Sequence, residues 1–212
     1  MKRLDNDKGY TMIETLMYIS LLIILGGVLA GYAHSIMLRY RTGRAAQQVI
    51  DLRKAIVHFT AADEDYSKLT IEGMDTGHSL PADMRTGSHD RAIHALGGEL
   101  KLGPIEQEPL NDTSDNKNYM FFIQFNNVPQ KSCTEILTQG QFYGDGSELD
   151  SLIVNSTAFK YQHSFYNVGQ YSDGTNSITS IKTYSTSIRP NIAEAVKACS
   201  SKKNNNITWI FS

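Results

Sequence analysis

From Thr15 to Leu38 the chain carries no Asp, Glu, Lys or Arg. That run exceeds the ~20 apolar residues a bilayer-crossing helix needs, so the chain must fold around one segment that water does not solvate. No proline occurs before Pro81, and behind Arg39, Arg41 and Arg44 the apolar residues Ala45, Val49, Leu52, Ile56 and Phe59 recur at helical spacing. The two stretches together predict one helix over residues 10–61, roughly 78 Å long at about 1.5 Å per residue. No small core covers such a rod along its whole length. Its hydrophobic half, residues 10–38, needs lipid or protein around it, and its amphipathic half, residues 39–61, needs a partner for one stripe.

The remainder, residues 62–212, reads as one α+β domain. With 212 residues, 41% hydrophobic and 20% charged, the chain is long and apolar enough for a core. Twenty basic against 22 acidic residues give a formal net charge of −2, without the basic patch a phosphate-backbone binder needs, so nucleic acid is not an expected partner. Ala62 to Asn118 is polar and rich in glycine and proline, and predicts mostly loop with short elements. Strands are predicted at Tyr119–Phe125, Leu152–Tyr161, Ile178–Tyr184 and Ile207–Phe211, from β-branched and aromatic enrichment. Short helices are predicted at Pro129–Thr138, which Gly140 would end, and at Pro190–Ala198.

Cys133 and Cys199 fall in none of the paired spacings of zinc or dithiol sites. If the domain lies outside the cytoplasm they read as one disulfide, closing a loop of about 67 residues and stabilising the fold by roughly 4 kcal/mol on the chain-entropy model. Two buried free thiols in a cytosolic protein are the alternative.

Ahead of the apolar run, residues 1–9, Met-Lys-Arg-Leu-Asp-Asn-Asp-Lys-Gly, are short and polar and read as a processing segment. Glu14 then stands at the start of the hydrophobic helix, where an acid costs up to about 2.5–3.5 kcal/mol unless it is partnered. A cut after Gly9 would put a new α-amino group on Tyr10, within reach of Glu14 of the same or a neighbouring chain. Ala30 and Ala33 flank a possible ordinary signal-peptidase site, but the apolar run is longer than the ~7–15 residues of a secretory leader and continues into the amphipathic stripe.

At Gly9, Tyr10 and Glu14 the sequence resembles the type IV prepilins, whose leader ends in Gly, is followed by a hydrophobic or aromatic residue, and has Glu as the fifth residue of the mature chain. The resemblance implies cleavage between Gly9 and Tyr10 by a prepilin peptidase, methylation of the Tyr10 amine, and retention of the helix. Further on, Phe121 to Asn126 followed by Cys133 to Leu137, and Ile192 to Cys199 followed by Thr208 to Phe211, have the look of type IVb pilins. The nine-residue leader and aromatic Tyr10 depart from that group. What this implies is a pilin fold: the hydrophobic half of the helix protruding, the amphipathic half packed on an antiparallel sheet, and a region bounded by a Cys133–Cys199 disulfide.

It also implies a function. The chain would sit in the inner membrane of a Gram-negative bacterium, then be polymerised by a pilus assembly platform into an extracellular helical filament for adhesion, aggregation or conjugative contact. Receptors on host or neighbouring cells are possible partners. Glu14 of an incoming subunit would pair with the Tyr10 amine of one already in place, and Gly26, Gly27 and Gly31 would permit close helix packing or soften the helix. A minor pilin, a pseudopilin of type II secretion and a membrane-anchored periplasmic binding domain are the competing readings.

No catalytic role is expected, and no cofactor or metal. The histidines at 34, 58, 78, 89, 94 and 163 lack ligand spacing, and no hydrolase, phosphate-loop or dinucleotide motif occurs. Asp145, Ser147 and Asp150 could touch calcium but lack the full loop pattern and read as an acidic turn. Asn111, Asn155 and Asn206 fall in glycosylation sequons, to which a bacterial pilin gives little meaning.

Overall fold

A computed structural model of the chain describes residues 12–62, 65–105, 120–139, 142–143, 148–160, 183–185, 189–201 and 203–212. They form two compact units, Met1–Tyr40 and Arg41–Ser212, and helix α1 (Met12–Thr60) contributes to both. Within the first unit the described residues are helical throughout, as the proline-free apolar run predicts.

The second unit is built on a seven-stranded sheet in the order β1-β2-β3-β7-β4-β5-β6. Its strands are β1 (Ala92–Ile93), β2 (Glu99–Pro104), β3 (Phe121–Val128), β4 (Leu149–Val154), β5 (Thr157–Lys160), β6 (Thr183–Ser185) and β7 (Asn205–Phe211). Helices α2 (Ile71–Thr76), α3 (Gln130–Thr138) and α4 (Ile192–Ala198) complete it. Every neighbouring pair is antiparallel except β5 and β6, which are parallel.

The predicted stripe of α1 is the one the fold buries: Ala45, Val49, Leu52 and Ile56 are fully covered and Phe59 partly. They lie in one core with alternate residues of the three central strands, Phe121, Ile123 and Phe125 of β3, Leu152 and Val154 of β4, and Ile207, Trp209 and Phe211 of β7. Register puts these side chains opposite one another, Phe121 on Phe211, Ile123 on Trp209 and Leu152 on Trp209. Phe125 meets the Trp209 ring edge-on at 5.2 Å, the arrangement aromatic quadrupoles favour. The intervening residues Phe122, Ile153 and Ile210 belong to a second cluster with Ile105, Met120 and Ala158. Burial on both faces is why Met120–Phe125 and Ile207–Phe211 read as near-continuous apolar runs rather than alternating ones.

Two differences from the sequence expectation have physical causes. The predicted strand Leu152–Tyr161 is a hairpin, β4 and β5, turning at Asn155 with φ of 53°. Asn is one of the few side chains tolerated there. In the stretch expected to be mostly loop lies β2, a six-residue strand whose Leu100 and Leu102 pair with Phe125 and Ile123 of β3, so its conformation is set by a partner far along the chain. The strand expected at Ile178–Tyr184 is described only over Thr183–Ser185. Its pairing with β5 there is parallel, in a sheet whose other neighbouring pairs are antiparallel.

Where the β1–β2 turn comes against β3, two residues show how tightly the sheet is closed. A Cβ on Gly98 would run into the Asn126 carbonyl oxygen and His94 Nε2. Gly98→Ala should therefore lower the unfolding free energy by about 1–3 kcal/mol, read from denaturant unfolding of the detergent-solubilised chain. His94 is buried, stacked on Phe125 at 4.5 Å; its Nε2–H donates to the Asn126 carbonyl (2.8 Å) and its Nδ1 accepts from the Leu96 N–H (3.3 Å). Burial holds its pKa below the usual histidine value, outweighing the bond to Asn126, which acts the other way. The unfolded chain therefore binds the proton first, and stability should fall as pH drops through about 6.5, the unfolded value. His94→Gln lacks this titration, so its stability difference from wild type should shift in its favour between about pH 7.5 and pH 5.5, measured by thermal unfolding.

Candidate assembly surface

In the first unit the helix offers a nearly uncharged apolar surface. One 18-residue window has mean hydropathy 2.1 with none of it buried, which by length and composition suffices to cross a membrane. Leu22, Ile23 and Tyr32 are each 67–69% exposed. Glu14 stands in the first turn, partly buried, and is the one Asp, Glu, Lys or Arg from Met12 to Leu38. The hydroxyls of Thr15 and Ser20 donate to the carbonyls of Met12 and Met17 (both 2.8 Å), so these polar side chains are satisfied within their own helix. A Cβ added at Gly26, Gly27 or Gly31 would meet nothing within 4 Å, so packing inside the chain does not require glycine at these positions. Gly9 and Tyr10, between which cleavage is expected, lie outside the described residues.

In the second unit the two cysteines that sequence placed on separate short helices are joined. Cys133 of α3 and Cys199, which caps α4, form a disulfide with a Cα–Cα distance of 6.0 Å, both fully buried. Helix α4 begins on a capping box: the Asn191 side chain accepts from the Glu194 N–H and the Glu194 carboxylate accepts from the Asn191 N–H (both 2.9 Å). Pro129 precedes α3, whose Ser132 hydroxyl accepts a buried hydrogen bond from Thr42 of α1 (2.8 Å).

A buried amide network that no sequence motif signals lies behind the disulfide. Asn205 is fully buried in β7; its Nδ2 donates to the carbonyls of Val128 (3.0 Å) and Ser201 (2.6 Å). The Asn155 Nδ2 donates to the Ala198 carbonyl (2.8 Å) and Asn205 Oδ1 (3.0 Å), and its Oδ1 accepts from the Asn206 N–H (3.0 Å). The β4–β5 turn is thereby tied to the end of α4 and the start of β7. With both its amide protons donated inside the domain, Asn155 is a structural residue, not a glycan acceptor.

A second polar group sits by the chain end: Arg53 of α1 lies over the Phe211 ring, 5.5 Å from its centroid, and pairs with Glu148. Asp75 of α2 forms an ion pair with Arg85 (3.1 Å from Nε) and accepts from His89 Nδ1 (2.6 Å), both of these partners lying on the loop before β1. Of the candidate calcium turn, Asp145 and Ser147 lie outside the described residues, and Asp150 accepts from the Ser151 hydroxyl (2.7 Å). Among the described residues no group of three or more His, Cys, Asp or Glu side chains could hold a metal ion.

The chain matches the family described as PilS N terminal over residues 39–212, well over half its length. Nothing matches among the curated proteins. Among solved structures it is similar to a type IVb pilin from Salmonella typhi, at 12% identity and TM-score 0.44, covering 77% of this chain and 96% of that one. It is likewise similar to TcpA, a type IV pilin of Vibrio cholerae El Tor, at 15% identity and TM-score 0.45, covering 82% of this chain and 99% of that one. The family match takes in the amphipathic half of α1, the whole sheet and both cysteines: the chain belongs to the PilS N-terminal family.

Proposed function

We propose that this chain is a structural subunit of a type IVb pilus, polymerised through the hydrophobic half of α1 into a surface filament for adhesion, aggregation or conjugative contact. The observation that carries the reading is a helix whose first half exposes apolar side chains from Met12 to Tyr40, with Glu14 as its one acid. Residues 1–9 are the leader, removed by a prepilin peptidase at the cytoplasmic face, and the Tyr10 amine that results is methylated. Residues 10–38 cross the inner membrane before assembly and fill the filament core afterwards, while residues 39–61 and the head, 62–212, face outward. On the assembly platform, Glu14 of the entering subunit takes the Tyr10 amine of one already in place, since an unpaired acid in a dry core is strongly penalised. The role is structural rather than catalytic, and any receptor on a host or neighbouring cell meets the head.

Quantifying the chain in filaments sheared from its native cells tests this. A major subunit dominates the sheared fraction; a trace amount would make it a minor pilin or pseudopilin. Complete retention in the membrane would leave an anchored periplasmic domain.

A further inference from the structure

We infer that Glu14 of one subunit also meets His34 of a second copy, displaced from it by roughly 30 Å along the filament, and that this pair fixes the stagger of the helices. The inference rests on the filament reading above and deepens it. Glu14 and His34 are the two ionisable side chains other than tyrosine between Met12 and Leu38, and among the described residues neither has an ion-pair partner in its own chain. They are separated by about 20 positions of continuous helix, which is about 30 Å of rise and about 200° of turn. They therefore sit on opposite faces.

Opposite faces are what a filament needs. Two parallel copies meeting through the same patch on each would be related by a two-fold axis and close as a dimer; an open helical array requires two different patches that fit each other. The His34 face suits a close neighbour: Gly27 and Ala30 lie about 20° and 40° around the helix from His34, about two turns and one turn below it respectively. Cβ atoms at Gly27 and Gly31 would meet nothing within the chain, and His34 itself is exposed. Small residues let helix backbones approach closely, so a glutamate side chain can reach the imidazole. An imidazole N–H donates to a carboxylate in either protonation state, and the two carboxylate oxygens can accept from His34 and the Tyr10 amine together.

The nearby arginines do not substitute. Arg39 lies on the Glu14 side of the helix, about 340° around from it. Arg41 lies on the His34 side, but pairing with it requires a shift of roughly 40 Å, at which the two charge-free runs no longer lie side by side. At the 30 Å shift they still overlap by about one turn, so the carboxylate is paired while the apolar runs remain in contact.

Two measurements on the full chain in its native cells test the pair. His34→Glu, which sets two acids against each other, should cut the yield of sheared filaments at least tenfold while leader removal continues, and His34→Lys should retain most of the yield. Separately, Met17→Cys combined with Leu38→Cys leaves Glu14 and His34 intact and brings the new thiols level at the proposed stagger. Oxidised filaments of that double variant should give a ladder of disulfide-linked subunits on non-reducing gels, absent from either single variant. Filaments of His34→Glu at wild-type yield, or double-variant filaments without the ladder, would overturn the pair while leaving the filament reading intact. A wild-type chain absent from sheared material would overturn both.

Discussion

Replacing Glu14 by alanine or valine is expected to abolish filaments while leaving leader cleavage largely intact. The substitution makes the helix more apolar, so membrane insertion does not suffer. On the proposed reading, what is lost is the anion that would neutralise the Tyr10 amine once both leave lipid headgroups and water for a protein core. Breaking a buried pair by removing one member costs about 3–5 kcal/mol. At about 1.4 kcal/mol per decade this exceeds a hundredfold in the association constant of each subunit, and every subunit of the filament bears it. Electron microscopy and immunoblotting of sheared material should show no filaments, with the processed chain accumulating in the membrane. Wild-type filament yield from Glu14→Ala would refute the role assigned to this acid.

The second large effect is expected from the disulfide. Helix α3 spans nine residues and α4 seven, too short to be stable alone in water. Their positions depend on the Cys133–Cys199 link, which spans a sequence separation of 66, and on the Asn155–Asn205 network next to it. Changing both cysteines to serine should cost roughly 4 kcal/mol, a large share of the ~5–15 kcal/mol that holds a typical domain folded. Urea unfolding of the solubilised chain with and without the link measures this. The protected amides of α3 and α4 should be the first to exchange with solvent when it is absent. An unchanged midpoint would mean that these helices are held by packing alone.

How much of this was legible depended on how local each cause is. The stripe Ala45, Val49, Leu52 and Ile56 is a repeat along one helix and could be read directly, and the apolar runs that became β3 and β7 were as clear. Strand β2 was not legible, because its conformation is dictated by β3 and its own Gly103 and Pro104 argue for a loop. The β4–β5 turn is hidden because Asn155 and Ser156 are only a two-residue break in a run otherwise rich in strand formers. Helix α4 was placed one turn-signal early, on Pro190, although Asn191 and Glu194 spell a capping box three residues apart. Nothing local announces Asn205: a buried amide inside an apolar strand becomes intelligible only once Val128, Ser201 and Asn155 are seen around it. Of the assembly site, Glu14 was legible because a lone acid on an apolar helix is costly. The relation of His34 to it depends on an unbroken helix between them, which the structure supplies.

The central claim is that the chain is cut after Gly9 and polymerised. Its most direct test is the intact mass and N-terminal sequence of the protein in surface material sheared from its native cells, kept non-reducing. A dominant species beginning at N-methylated Tyr10, lighter by two hydrogens for the Cys133–Cys199 bond, is the predicted result. A chain beginning at Met1 or His34, left in the membrane or released singly, would contradict it.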